Sequence, residues 1–308
     1  MVKKRNRDPE VLDEAPPAKV DGDESGSDEV NTTPHPISDP SAHGLQDIDM
    51  VNVEFEWFNF KPDIDFHGIK SLLRQLLDVD HQLFDLSALA DLILSQPTVG
   101  STVKVDGEDT DAYAFLTILN LQEYKDKEII KSLAAYILEK SKSNPELSQL
   151  GAVLSKPDSQ VGLILAERLI NVPSEVSPPM YTMLIDEIEA AVEDKEPYDF
   201  SHYLIISKTY REIASSLDQE DAPRSKKSKA GKGTKETFYF HPEDEVLQKH
   251  ALLSGSYEYT KDEGEGMADS KRAFQELGIK AQGSMLLIEA QKFAGAVKAI
   301  GEYLSPPQ

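Results

Sequence analysis

The sequence contains no cysteine. That absence excludes a disulfide scaffold, a Cys-ligated zinc site, an iron–sulfur cluster and thiol catalysis. Long apolar runs are missing too. No stretch of about 18 apolar residues occurs, so no helical span of a membrane is expected. The basic cluster Lys3, Lys4, Arg5 and Arg7 is not followed by an apolar segment, so it does not read as a secretory signal and fits a reducing compartment. Positive charge is scarce. Lys plus Arg number 32 against 55 Asp plus Glu, a formal net charge of −23. Nucleic-acid-binding domains usually carry net positive charge to displace counterions from phosphate, so direct nucleic-acid binding is not expected.

Catalytic and ligand motifs are scarce as well. There is no Gly-x-Gly-x-x-Gly, and Gly231-Lys-Gly-Thr234 lacks the upstream Gly of a phosphate loop. Neither a Gly-x-Ser-x-Gly elbow nor His-Glu-x-x-His occurs. The seven histidines show no metal spacing. Asp106-x-Glu108 and Asp78-x-Asp80 lack the Gly that a calcium loop needs at its sixth position, which here is Asp111 and Leu83. The residues therefore predict no catalytic group, no metal and no cofactor.

What is present is segregated charge. Residues 1–50 hold twelve acidic residues against five basic ones, six prolines and no aromatic residue. Such a stretch cannot bury enough apolar surface to offset chain entropy, and it is predicted to be a disordered acidic tail. A second irregular stretch, about 219–236, reverses the sign. Within 223–235 it carries six basic residues and no acidic one, among them Arg224, Lys226, Lys227 and Lys229. This fits a nuclear-import signal, and equally a solvated Lys/Gly/Ser loop between strands. A third, acidic and Gly-rich loop lies near 259–270. At about 150 residues per domain the 308-residue chain suggests about two domains. Without the tail and the long loop, a single domain over 51–305 is expected.

That domain reads as α+β, a central mixed sheet flanked by helices with six or seven strands. Val51–Trp57 alternates apolar and polar residues and predicts a half-buried strand. Residues 101–105 and 112–121 flank Asp106-Gly107, a hairpin signal, and the second is apolar on both faces and should be central. Further strands are expected at 161–165, 200–208, 237–240 and 285–288. Helices are expected around Ile69–Leu77, Asp85–Ser95, 126–141, Pro145–Leu154, Glu167–Ile170, from Ser177 (as cap) with a stripe reaching Val192, and Phe293–Leu304. Residues 243–253 fit either state.

The helix from Ser177 carries its acids mostly opposite its apolar stripe. Asp186, Glu187, Glu189, Glu193, Asp194 and Glu196 form a candidate surface for a basic protein, although a solvated helix face has the same pattern.

Several segments together resemble the BCCIP family, called Bcp in fungi. They are Asp65-Phe-His-Gly68-Ile-Lys-Ser-Leu-Leu-Arg-Gln75, Gln160-Val-Gly-Leu-Ile-Leu-Ala-Glu-Arg-Leu-Ile-Asn-Val-Pro173, Tyr203-Leu-Ile-Ile-Ser-Lys-Thr-Tyr210 followed by a basic loop, Glu243-Asp-Glu245, Met285-Leu-Leu-Ile288, and Glu302-Tyr-Leu-Ser305. The resemblance spans about 48–305. It implies a fold related to GNAT-type acetyltransferases. Around Gly162 the acetyl-CoA turn would need other residues than Ser159 and Ile164, so the acetyl-CoA signature is absent. It further implies a non-catalytic nuclear chaperone or adaptor that shuttles to the cytoplasm. Its implied partners are a basic ribosomal protein of the large subunit, a lipid kinase and nuclear transport receptors. Its implied roles are ribosome biogenesis, protein transport and nuclear export. A GNAT-related acyltransferase with a degenerate cofactor motif is the alternative.

Overall fold

In a computed structural model, the structure describes residues 53–96, 98–156, 159–212, 237–260 and 279–305. The expected tail, the basic loop with Arg224, Lys226, Lys227 and Lys229, and nearly all of the acidic Gly-rich loop lie outside these residues.

The strands of the sheet are β1 (Glu56–Asn59), β2 (Ser101–Lys104), β3 (Ala114–Asn120), β4 (Val161–Arg168), β5 (His202–Glu212), β6 (Thr237–Tyr239), β7 (Leu253–Tyr257) and β8 (Ile279–Glu289). Their order is β1-β2-β3-β4-β5-β8-β7, with β6 paired to β5 off this path. Pairing is antiparallel except between β4 and β5, so the sheet is mixed. The central strands β3, β4, β5 and β8 alternate their residues between two cores. On β3, Phe115 and Leu119 enter one core while Ala114, Leu116 and Ile118 enter the other. Because both faces are covered, all seven residues of β3 are buried, as its two-sided apolar pattern predicts.

Helices α1 (Pro62–Leu76), α2 (Leu86–Leu94), α3 (Glu128–Ser143) and α4 (Leu150–Leu154) cover one face. Helices α5 (Ser177–Glu193), α6 (Pro242–His250) and α7 (Ala290–Leu304) cover the other. The α1 stripe Ile69, Leu72, Leu73, Leu76 and Leu77 is fully buried, as its spacing requires. Among the described residues no helix is long and apolar enough to cross a membrane.

Several expectations change. The first strand is only Glu56–Asn59, later and shorter than the alternation over 51–57. Residues 167–168 continue β4 instead of starting a helix, because β3 keeps pairing with them through Phe115↔Glu167 and Ala114↔Arg168. Residues 243–253 split into α6 and the start of β7. Strand β7, Leu-Ser-Gly-Ser-Tyr, is an addition, and β8 begins at Ile279, well before Met285. Helix α5 begins at Ser177, but its hydroxyl does not cap it. It donates instead to Glu243, 2.8 Å away.

Candidate functional site

The six acidic residues read from the sequence do not form one uniform face. Asp186, Glu189, Glu193 and Asp194 are exposed, and among the described residues none of them is in an ion pair. Glu187 is half-buried and accepts the Gly100 N–H at 2.8 Å. Burial pushes its carboxyl above the usual range, against the pull of that bond. Glu196 accepts from the Thr98 hydroxyl at 2.9 Å. Two of the six therefore tie the end of α5 to the loop ahead of β2, and four remain free for solvent or a partner. Gly100 supplies the left-handed φ of 111° that this loop needs, and the Phe60 ring fills the space a side chain would take. Val192, the last residue of the apolar stripe, is exposed.

The free acids of α5 stand out by number, since α1 and α2 each carry a single exposed acid outside an ion pair among the described residues, Asp63 and Asp91. On α3 Glu128 pairs with Lys131, on α6 Glu245 with Lys249, and on α7 Glu302 with Lys298. Those pairs cancel charge locally within one or two helical turns. The end of α5 has no such cancellation.

A second site was not legible from motifs. Strands β4 and β5 run parallel from Val161↔His202 to Leu165↔Ile206 and then part. In open sheets, a crevice at the carboxyl ends of parallel strands is a usual ligand position. Here β6 takes the place that β4 leaves, pairing with Thr209–Arg211 of β5. The remaining gap is filled by charge. The buried Glu167 carboxylate lies 2.8 Å from Lys208 Nζ and 3.4 Å from His241 Nε2, and accepts from Gln75 Nε2 at 2.7 Å. Beside it, Arg168 forks onto Glu243, and both engage Ser177. Asp244 accepts from Ser207.

Burial opposes the charge on Glu167, but His241 and Lys208 outweigh it and hold the carboxyl below its usual range. Burial likewise opposes protonation of His241, and Glu167 with Asp244 and Glu243 overrides it, so the imidazole is raised. Asp244 goes the other way. Burial, reinforced by the neighbouring Glu243, pushes it up to about 7 against the pull of His241. The cavity left beside this cluster is about 20 Å³, space for about one water.

Two further buried ion pairs lie toward opposite edges of the sheet. Lys104 on β2 meets Asp65 on α1 at 2.6 Å, with both side chains fully inaccessible. Lys140 on α3 lies 3.4 Å from Asp80, which also accepts from the Tyr136 hydroxyl and the Thr260 N–H.

The positions weighed for an acetyl-CoA turn are also placed. Gly162 and Ile164 lie inside β4, paired on one side to Asn120 and Ile118 and on the other to Tyr203 and Ile205. Their amides belong to the sheet ladder, and Ser159 is buried against Ser201. A phosphate needs open amides at a helix start, and this segment offers none.

Comparison with known proteins identifies the family. The BCCIP family model matches residues 50–247. The chain is 57% identical to protein bcp1 of Aspergillus fumigatus over 281 residues, covering 91% of this chain and 96% of that protein. It is 56% identical to protein BCP1 of Gibberella zeae over the whole of both chains. The crystal structure of BCP1 from Saccharomyces cerevisiae is similar at a TM-score of 0.56 and 25% identity, covering 86% of this chain and 97% of that one. The chain belongs to the BCCIP family, with the α+β mixed-sheet fold of its solved relative.

Proposed function

We propose that this protein is a non-catalytic nuclear chaperone and adaptor. It holds a basic ribosomal protein of the large subunit, and so supports ribosome biogenesis and nuclear export. The observation that carries the reading is the uncompensated acidic end of α5, where Asp186, Glu189, Glu193 and Asp194 are exposed and unpaired among the described residues, in a chain of net charge −23. A field of one sign steers a cationic client to the surface and keeps it from binding RNA unspecifically. At the junction of β4 and β5 the gap of about 20 Å³ has no room for an acyl-CoA. Lys3–Arg7 and the segment with Arg224, Lys226, Lys227 and Lys229 supply import signals, so the protein shuttles through transport receptors. A lipid kinase is a second cargo of the same adaptor.

The test is mass spectrometry of proteins that co-purify at low salt with the parent chain and with a variant carrying Asp186→Asn, Glu189→Gln, Glu193→Gln and Asp194→Asn. A basic ribosomal protein should be enriched with the parent and depleted with the variant. Finding no basic protein on the parent refutes the reading.

A further inference from the structure

We propose that the basic client docks by strand addition. An extended segment of it, rich in Lys and Arg, pairs with the open edge of β1 between two acidic flanks. This rests on the reading of the chain as holder of a basic protein, and adds the surface and the mode of contact.

The two end strands of the main sheet path are treated differently. Strand β7 is closed by the 3-10 turn Pro145–Leu147. Asn144 Nδ2 donates to Ser256 O at 2.9 Å, and Asn144 and Leu147 fill the space beside Gly255. Among the described residues strand β1 has no such cover. Among the described residues it pairs with β2 alone, and the one side-chain bond to its backbone, Thr102 Oγ1 to Phe58 O, also comes from β2. An uncovered edge presents a row of backbone donors and acceptors, which an extended peptide completes as an added strand.

Charge selects which peptide. Glu54 and Glu56 are exposed along the edge. Beyond Glu56, which is in register with Lys104, the β2–β3 turn carries Asp106, Glu108, Asp109 and Asp111. Lys61 pairs with both Glu108 and Asp109, offsetting one of their two charges, and leaves Asp106 and Asp111 exposed and outside any ion pair among the described residues. At the opposite end Asn59 is in register with Ser101. The preceding Gly100 and Thr98 hold Glu187 and Glu196, and the exposed Glu193 and Asp194 lie between these two anchored acids in the chain. Lys104 adds no positive charge to the surface, because its side chain is fully buried on Asp65. Backbone pairing is indifferent to sequence, so the acids decide the sign. They repel a second copy of β1 and accept a cationic strand.

The test uses the full chain and an alternating Lys-Val peptide of about ten residues, beside the same peptide N-methylated at alternate positions. The methylated form keeps the charge and loses the ladder donors. Hydrogen exchange at residues 56–59 should slow with the first peptide, which should bind at least about tenfold more tightly than the second. A Glu54→Lys, Glu56→Lys variant should bind the peptide at least about tenfold more weakly, with its melting temperature unchanged. Equal affinity for both peptides, or protection that leaves β1 untouched, overturns the proposal. So does protection of β1 in the free chain that disappears on removing residues 1–50 or on dilution, since the edge then belongs to the chain itself or to a second copy. A basic ribosomal protein that binds while β1 exchanges as in the free chain overturns strand addition alone. If neither peptide nor any basic protein binds, the chaperone reading falls with it.

Discussion

Replacing Lys104 with Met should cost about 3–5 kcal/mol of folding stability, the range for leaving a buried charge without its partner. The structure sets the size. Lys104 is among the largest fully buried side chains, its Nζ is 2.6 Å from Asp65 Oδ1, and both side chains are 0% exposed. Met keeps the length of the stem and removes the cation. Asp65 then retains one bond, from the Lys61 N–H at 2.7 Å. Water cannot reach the stranded carboxylate, so its desolvation is no longer offset. For a folded region of this size the loss corresponds to a fall of about 6–20 °C in Tm. The double variant Lys104→Met, Asp65→Asn removes both charges and keeps an acceptor for Lys61. It should recover at least about 2 kcal/mol of the loss, since a neutral pair carries no ionic desolvation. Urea unfolding of the parent, both singles and the double, with unchanged slope, measures the cycle. A single-variant loss below about 1 kcal/mol, or a double variant no more stable than Lys104→Met, refutes the argument that this ion pair is dry and mutually dependent.

Three further expectations follow from the same structure. Gly162→Ala should destabilise by about 1–3 kcal/mol, because the new Cβ would sit 2.3 Å from Ile118 Cδ1; a neutral result in thermal unfolding would mean that β3 and β4 can part there. Glu187→Ala, which takes the acceptor away from the Gly100 N–H, should lose about 1 kcal/mol, whereas neutralising Asp186, Glu189, Glu193 and Asp194 should change stability by less than about 0.5 kcal/mol each; chemical denaturation separates the two groups. Asp244 holds its proton to about 7 in the folded chain against 3.8 ordinarily, so its contribution to stability falls as pH rises between those values and is constant above them. Asp244→Asn should therefore gain on the parent from pH 4 to pH 7, and an identical difference at pH 4 and pH 8 would show that the carboxyl is not shifted.

Much of the scaffold was legible because burial writes its period into the sequence. Strand β3 is apolar on both faces and sits inside the sheet, and the α1 stripe is buried as spaced. The misses share a cause, since pairing overrode local pattern. The small and polar Leu253–Tyr257 carries little strand signal, yet β8 pairs along all of it. The polar end of β4 is held in the sheet by β3. The ionic junction was hidden because Glu167, Lys208 and His241 are far apart in sequence and match no motif. A usable trace exists, since Glu167 and Lys208 each follow an apolar run at the ends of what become parallel strands, and Lys104 stands between two valines. The acidic face was legible in composition but not in division. A helical wheel cannot show that the loop at 98–100 captures Glu187 and Glu196.

The central claim is that this chain holds a cationic protein through exposed acids. The measurement that tests it most directly is the affinity of the full chain for a purified basic large-subunit ribosomal protein, titrated from about 0.05 M to about 1 M salt, where the screening length shrinks from above 10 Å to about 3 Å. Tight binding at low salt that weakens steadily with ionic strength, and weakens further on neutralising Asp186, Glu189, Glu193 and Asp194, is the expected result. No binding at the lowest salt, or an affinity indifferent to both salt and those four residues, contradicts it.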